Sequence, residues 1–350
     1  MESKYYVERE INTDILRIVA IFSVIVLHVS AQKWSELDTA SIEWNTLNLY
    51  NGLVRWCVPV LIMISGSLFL TKNQSIKKIY KKNIFRIVTA FLFWTSFYAS
   101  IMWIEGAKKN EVMECLVKGK YHLWFLPMIM GVYMIVPFLY KVVNDKELFR
   151  YFCILSFVFM FLIMEGIKLL QLKNRIWGEL VQSGINQFHL DCMLGFAFYF
   201  VIGYFFSSRE KEIKWTKGIY IGGFIGFVLT IVLSSLLSLY LRSANDFFYG
   251  SFTINVLLES IFVFCVFKKI FSNIKFSDTA RRIIVHLSKY SFGIYLVHVF
   301  VLDMLEKKGL DTLGFNPIIS VPVISIIVFL ISLCISAVLN QIPIVKKYIV

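Results

Sequence analysis

Charge is what this chain has least of. Only 17% of its 350 residues are Asp, Glu, Lys or Arg, against about a quarter in ordinary soluble proteins. Long polar stretches are missing too: the longest connections between apolar runs span only about twenty residues, too few to bury a core of their own, so residues 1–350 are expected to hold no separate soluble domain. The six cysteines, Cys57, Cys115, Cys153, Cys192, Cys265 and Cys334, stand singly. That spacing fits no zinc site or redox motif and reads as small packing residues. Histidine is equally sparse, with five residues and no pair one turn apart, so no metal site is expected.

What fills the chain instead is apolar: hydrophobic residues make up 58% of it. They fall into recurring runs of roughly 18 to 24 residues, the length a bilayer core demands of a helix. Ten candidate spans are expected, at about 12–31, 47–70, 84–104, 121–140, 148–170, 188–206, 218–240, 250–270, 289–305 and 317–339. The runs are continuous rather than alternating and about twice the length of a barrel strand, which disfavours a β-barrel. Helices satisfy their own backbone groups, as lipid requires. The expectation is an all-α polytopic membrane protein.

A net charge of +13 would suggest nucleic acid if it were clustered on one face, but the lysines and arginines lie in the short connections between spans. That is a topology pattern, and no nucleic-acid partner is expected. With the N-terminus cytoplasmic, the inner connections, including Lys77, Lys78, Lys81, Lys82, Arg281 and Arg282, outnumber the outer ones in basic residues, so both termini are expected inside a plasma membrane, in a bacterial setting. Lys108, Lys109, Lys118 and Lys120 run against the bias. A cleaved signal peptide ending at Val29-Ser30-Ala31 is disfavoured, because Glu2, Glu8, Glu10 and Asp14 outweigh Lys4 and Arg9 where a basic region is needed.

Against this apolar background the first span carries Asp14, Arg17 and His28. Ionisable groups in a span are costly and mark substrate paths or partners. Eleven residues are close to three helical turns, so Arg17 and His28 share a face about 16 Å apart along the axis. Asp14 lies one turn from Arg17 and can reach it. An arginine's planar fork suits phosphate; a histidine, whose ordinary pKa is near neutral, suits taking a proton from a hydroxyl. The spacing fits a long thioester donor with its phosphates at Arg17 and its acyl group at His28. Two structural readings stand beside this one: Arg17 snorkelling to headgroups, and His28 as an interhelical hydrogen-bonding residue.

The ordered set of motifs resembles the acyltransferase 3 family of integral membrane acyltransferases, in its surface-polysaccharide O-acetyltransferase branch, which includes the enterobacterial common antigen enzyme. Asp14-Ile-Leu-Arg17 followed by His28 is similar to the family's arginine, ten residues and histidine. Arg55 with Val58-Pro59-Val60 and Ile64-Ser65-Gly66, then Arg86, then His122-Leu-Trp124-Phe-Leu-Pro127 with Tyr133 and Pro137, and Ser291-Phe-Gly293-Ile-Tyr295-Leu-Val-His298 follow in the family's order. The resemblance implies about ten helices and cytoplasmic acyl-CoA, most simply acetyl-CoA, as co-substrate with no bound cofactor. It also implies transfer to a hydroxyl of an envelope glycan or its undecaprenyl-linked precursor. It carries the essential histidine to His28 and the donor-binding arginine to Arg17. Val88-Thr89 departs from relatives that have proline after Arg86.

The remaining candidates each have two readings. Asp14 orients Arg17 or tunes the local charge. Arg86 holds phosphate beside Arg17 or anchors its helix end by snorkelling. Arg55 is expected to line a polar cavity rather than face lipid. His122 and Trp124 would bind the acceptor sugar through a hydrogen-bonding ring and a stacking indole, although Trp124 with Tyr121 also makes an ordinary interfacial belt. Ser65-Gly66-Ser67 reads as a close helix contact. Glu165, Glu259 and Asp303 could each pair an arginine, and His298, placed near the inner end of its span, reads as a packing or hydrogen-bonding residue. A transporter or flippase for a small solute or lipid-linked sugar would also use buried charges, but no internal repeat is detected. A non-catalytic scaffold would not need Arg17 and His28 on one face.

Overall fold

The computed structural model describes residues 11–208, 216–272 and 274–350, all of it helix and connecting turns among the described residues. Glu2, Lys4, Glu8, Arg9 and Glu10 lie outside them. In chain order the helices are α1 (Ile11–Ala31), α2 (Ile42–Gly52), α3 (Cys57–Phe69), α4 (Ile76–Ile104), α5 (Lys109–Lys118), α6 (Phe125–Asn144), α7 (Lys146–Lys173), α8 (Arg175–Asn186), α9 (Asp191–Ser208), α10 (Thr216–Leu241), α11 (Ile254–Ser272), α12 (Asp278–Lys307), α13 (Pro317–Leu339) and α14 (Pro343–Tyr348). Among the described residues nine segments are long and apolar enough to cross a bilayer, α2 and α3 counting as one, and the run expected at 188–206 provides a shorter apolar helix at Leu194–Ser208. This is a polytopic helical membrane protein.

The sequence explains where the helices start and bend. Ser41, Ser277 and Asn316 cap α2, α12 and α13 by accepting from Trp44 N, Ala280 N and Ile318 N, meeting donors that have no partner within a helix. The second span breaks at residues 53–56, two turns before Ser65, and α9 kinks at Gly195. A π-helical turn at Ile79–Ile84 opens α4. From Phe85 onward α4 is regular helix, so Val88-Thr89 leaves no kink there.

Polarity is distributed inside out. On α13, Ser320, Ser325, Ser332 and Ser336 are buried while Ile318, Ile319, Ile326 and Leu330 are exposed. Hydrocarbon attracts no helix to another by the hydrophobic effect, so small residues form the seams and aliphatics face outward. The closest seam joins α3 to α9. A Cβ at Gly66 would lie 1.8 Å from the carbonyl oxygen of Phe200, and one at Gly203 2.1 Å from that of Met63, so only glycine permits this approach, as the Ser65-Gly66-Ser67 pattern suggests.

The helix pair that positions the site is α1 and α12. Arg17 meets Ser288, His28 meets His298, and Gln32 meets Glu306, so both residue numbers rise together and the helices run parallel. A position on one therefore has a fixed counterpart on the other. α12 also begins earlier than the expected 289: its first turns carry Arg281 and Arg282, which look like a loop in sequence but extend the helix beyond the apolar core.

Candidate active site

At one end of this pair, Arg17 donates from Nη1 to Asp14 (3.2 Å) and to the Ser288 hydroxyl (3.0 Å), and Ser288 in turn donates to Asp14 (2.6 Å). Asp14 is buried. The triangle anchors one edge of the guanidinium across two helices, the arrangement needed to hold a costly charge in one orientation. Arg17 and Arg86 both line a cavity of about 340 Å³, with Lys82 and Asn83 from the π-turn at one side and Ser65, Tyr133 and Tyr295 among its other walls. π-turns recur at functional sites because they push side chains out of helical register. Arg86 also donates to the Val350 main-chain oxygen and lies over the Phe292 ring at 5.3 Å, so it is held by the protein as well as facing the cavity.

Tyr295 is the partition between the two ends. It lines the cavity, and its ring centroid is 5.8 Å from that of His122 and 5.9 Å from that of His298. Its hydroxyl donates to the His122 main-chain oxygen. Beyond it the three imidazoles gather: His298 lies 5.2 Å from His28 and 5.1 Å from His122, centroid to centroid. Tyr121 packs edge-on against His28 at 5.2 Å, although the ring is largely exposed elsewhere. His28 is half-buried and is not one of the cavity-lining residues; His298, which contacts both it and Tyr295, stands between.

Hydrogen bonding assigns roles to these rings. His298 Nδ1 lies 2.6 Å from the Tyr295 carbonyl oxygen. A carbonyl can only accept, so Nδ1 carries the proton, and in the neutral ring Nε2 is left as an acceptor. That Nε2 is fully buried and has no partner. The ring nitrogens of buried His122 form no well-aligned bond, although the Leu296 carbonyl, which accepts from the Tyr98 hydroxyl at 2.8 Å and keeps a second lone pair, is near enough to take one. Unmet buried polar atoms are costly, and a ligand's polar groups could satisfy those of this cluster.

The other candidates separate from this centre. Arg55 sits in the turn between α2 and α3, bonded to Asn51 and lying 3.9 Å from the Tyr249 ring centroid; it is within electrostatic reach of His28 but lines neither the cavity nor the imidazole cluster. Trp124 is exposed and packs on Phe196 at 5.5 Å, the belt geometry, whereas its neighbour His122 turns inward. The expected acid–arginine pairs do not form. Asp303 pairs with Lys120 (3.0 Å), Glu165 accepts from Ile254 N at the start of α11 (3.2 Å), and Glu259 bonds Thr230. Of the lysines that run against the charge bias, Lys120 pairs with Asp303 and Lys118 with Glu114 (2.7 Å). Cys57, Cys115, Cys153 and Cys334 are free thiols, and the side chain of Cys192 lies outside those described. Among the described residues no group of three or more His, Cys, Asp or Glu is placed to hold a metal.

His298, expected near the inner end of its span, lies level with His28 and does make a hydrogen bond, to the Tyr295 carbonyl; α12 itself starts at Asp278, eleven residues before the expected boundary of 289. Ser288 escaped notice, and Tyr295 was noted only as part of a motif, because nothing local in a serine or tyrosine announces a partner on a distant helix; only the parallel pairing of α1 and α12 does. Residues 10–340 match the profile of the acyltransferase 3 family, described as an acyltransferase domain. No curated protein and no solved structure matches the chain.

Proposed function

Because the chain belongs to that acyltransferase family, we propose that it transfers an acetyl group from cytoplasmic acetyl-CoA to a hydroxyl of a cell-surface polysaccharide or its undecaprenyl-linked precursor. Arg17, with Arg86, takes the donor phosphates; the thioester arm occupies the cavity; and the acyl carbon comes to the imidazole cluster. His28 accepts the proton as the hydroxyl oxygen attacks the thioester carbonyl, the C–O bond forms, the C–S bond breaks and the leaving thiolate takes the proton from His28. His298 Nε2 accepts from the acceptor hydroxyl or from the His28 ring and so orients the pair. His122 offers a further polar edge to the sugar, while Arg55 and Trp124 stand outside this contact set.

The observation that carries this reading is Tyr295, which walls the arginine-lined cavity on one side and packs against His122 and His298 on the other. Purified protein given radiolabelled acetyl-CoA and envelope glycolipid should move label to the lipid. Label that stays on CoA while the glycolipid crosses the bilayer would establish the transporter alternative instead. Label retained on protein without acceptor would replace direct transfer by an acyl-histidine intermediate.

A further inference from the structure

A second cavity, of about 680 Å³, adjoins the first and shares Lys82 and Arg86 with it as lining residues. Lys81, Lys346 and Lys347 complete a set of five cations around it, and no carboxylate lines it. None of the four lysines is ion-paired among the described residues. Lysines at the inner ends of spans are ordinary topology markers, but topology does not require five cations to converge on one hollow, where their mutual repulsion goes uncompensated. Two rings also line the hollow: Phe85 and Tyr348 meet edge-to-face at 5.8 Å. Phe85 is exposed, while Lys347 Nζ lies 4.7 Å from the Tyr348 ring centroid; an exposed ring beside cations forms a base-stacking and phosphate-binding combination.

The wall carrying Lys346 and Lys347 is fixed in place. α14 and the residues after it are fastened to α4 by Thr89 Oγ1 donating to the Tyr348 carbonyl, Trp94 Nε1 to that of Ile349 (3.2 Å), and Arg86 to that of Val350. The inner cavity, about 340 Å³, lies at the bottom of the roughly 300–1,000 Å³ range of ligand clefts. It has room for a thioester arm and its acyl group without the nucleotide that carries them.

We propose that this outer cavity is the site for the nucleoside and 3′-phosphate of the donor, with the base against Phe85 and the 3′-phosphate on Lys81, Lys346 and Lys347, while Lys82 and Arg86 serve both cavities and the diphosphate lies between them, toward Arg17. The assignment rests on acyl-CoA being the donor, and it divides that donor between two adjoining cavities. The test compares acetyl-CoA with acetyl-pantetheine, which has the arm and no nucleotide, on wild type and on the double variant K346Q/K347Q, in nanodiscs with and without anionic lipid. Wild type should show a lower KM for acetyl-CoA than for acetyl-pantetheine. In the variant that preference should shrink by about tenfold or more, as expected for losing two charge-assisted contacts, with either lipid. Adenosine 3′,5′-bisphosphate should compete with acetyl-CoA on wild type and much less on the variant.

An active wild type with no preference between the two donors, or a variant that keeps the preference, overturns the proposal and leaves the acyltransferase reading intact. A variant effect that appears only with anionic lipid assigns the lysines to headgroups and also overturns it. A wild type that uses neither thioester removes the underlying reading, and this one with it.

Discussion

The two ends of the α1–α12 pair are built on opposite principles. At the Arg17 end one edge of the guanidinium is answered from within the protein, by Asp14 and Ser288. At the His28 end the ring nitrogens of His122 and Nε2 of His298 form no well-aligned bond although they are fully buried. A charge must be held if it is to stay in a membrane, and holding it fixes the geometry of binding. A group that exchanges protons needs an open valence, so its partner must arrive with the substrate. On the proposed reading, the difference separates a clamp from a reaction centre along one helix.

The largest break in this comparison should come from His28→Ala. Loss of a general base costs about 10²–10⁴ in rate, and label transfer from acetyl-CoA should fall by that amount with membrane expression unchanged; transfer at the wild-type rate would reject the base assignment. His298 gives a sharper cut through two variants. Asn can keep the donor toward the Tyr295 carbonyl but not the distal acceptor, and Gln can supply the distal acceptor. His298→Asn should lower kcat by about tenfold or more, the scale of one buried hydrogen bond, with His298→Gln recovering part of it. Equal losses in kcat for both would make His298 a packing residue.

At the clamp end, Arg17→Lys should raise KM for acetyl-CoA by about tenfold and change kcat less, because a lysine cannot reproduce the two-pronged contact. A variant with wild-type donor KM would separate Arg17 from the phosphates. Ser288→Ala should do the same more weakly, roughly two- to fivefold in KM, since it removes a single neutral hydrogen bond from the triangle. The smallest effect is expected for Trp124→Phe, within about twofold in acceptor KM, as a belt residue keeps its ring in place; a larger loss would return the indole to the acceptor site.

Much of the scaffold could be read from the chain, and the reasons differ by feature. Spans were legible because hydrocarbon thickness sets a length that continuous apolar runs either meet or miss. Leu194–Ser208 falls short of that length and was the poorest fit. The Arg17–His28 alignment was legible because both lie on one unbroken helix, where spacing is geometry. Its counterparts Ser288 and Tyr295 were not, since they depend on which helices become neighbours and in which direction they run. The charged first turns of α12 imitate a loop, which set its expected start eleven residues too late.

The parallel course of α1 and α12 has one further result. Both rungs, Arg17 with Ser288 and His28 with His298, hang on the same two rods, so sliding one rod by a single turn, about 5.4 Å, would break both rungs in one stroke. On the proposed reading, neither the donor side nor the acceptor side can be retuned by a helix shift alone.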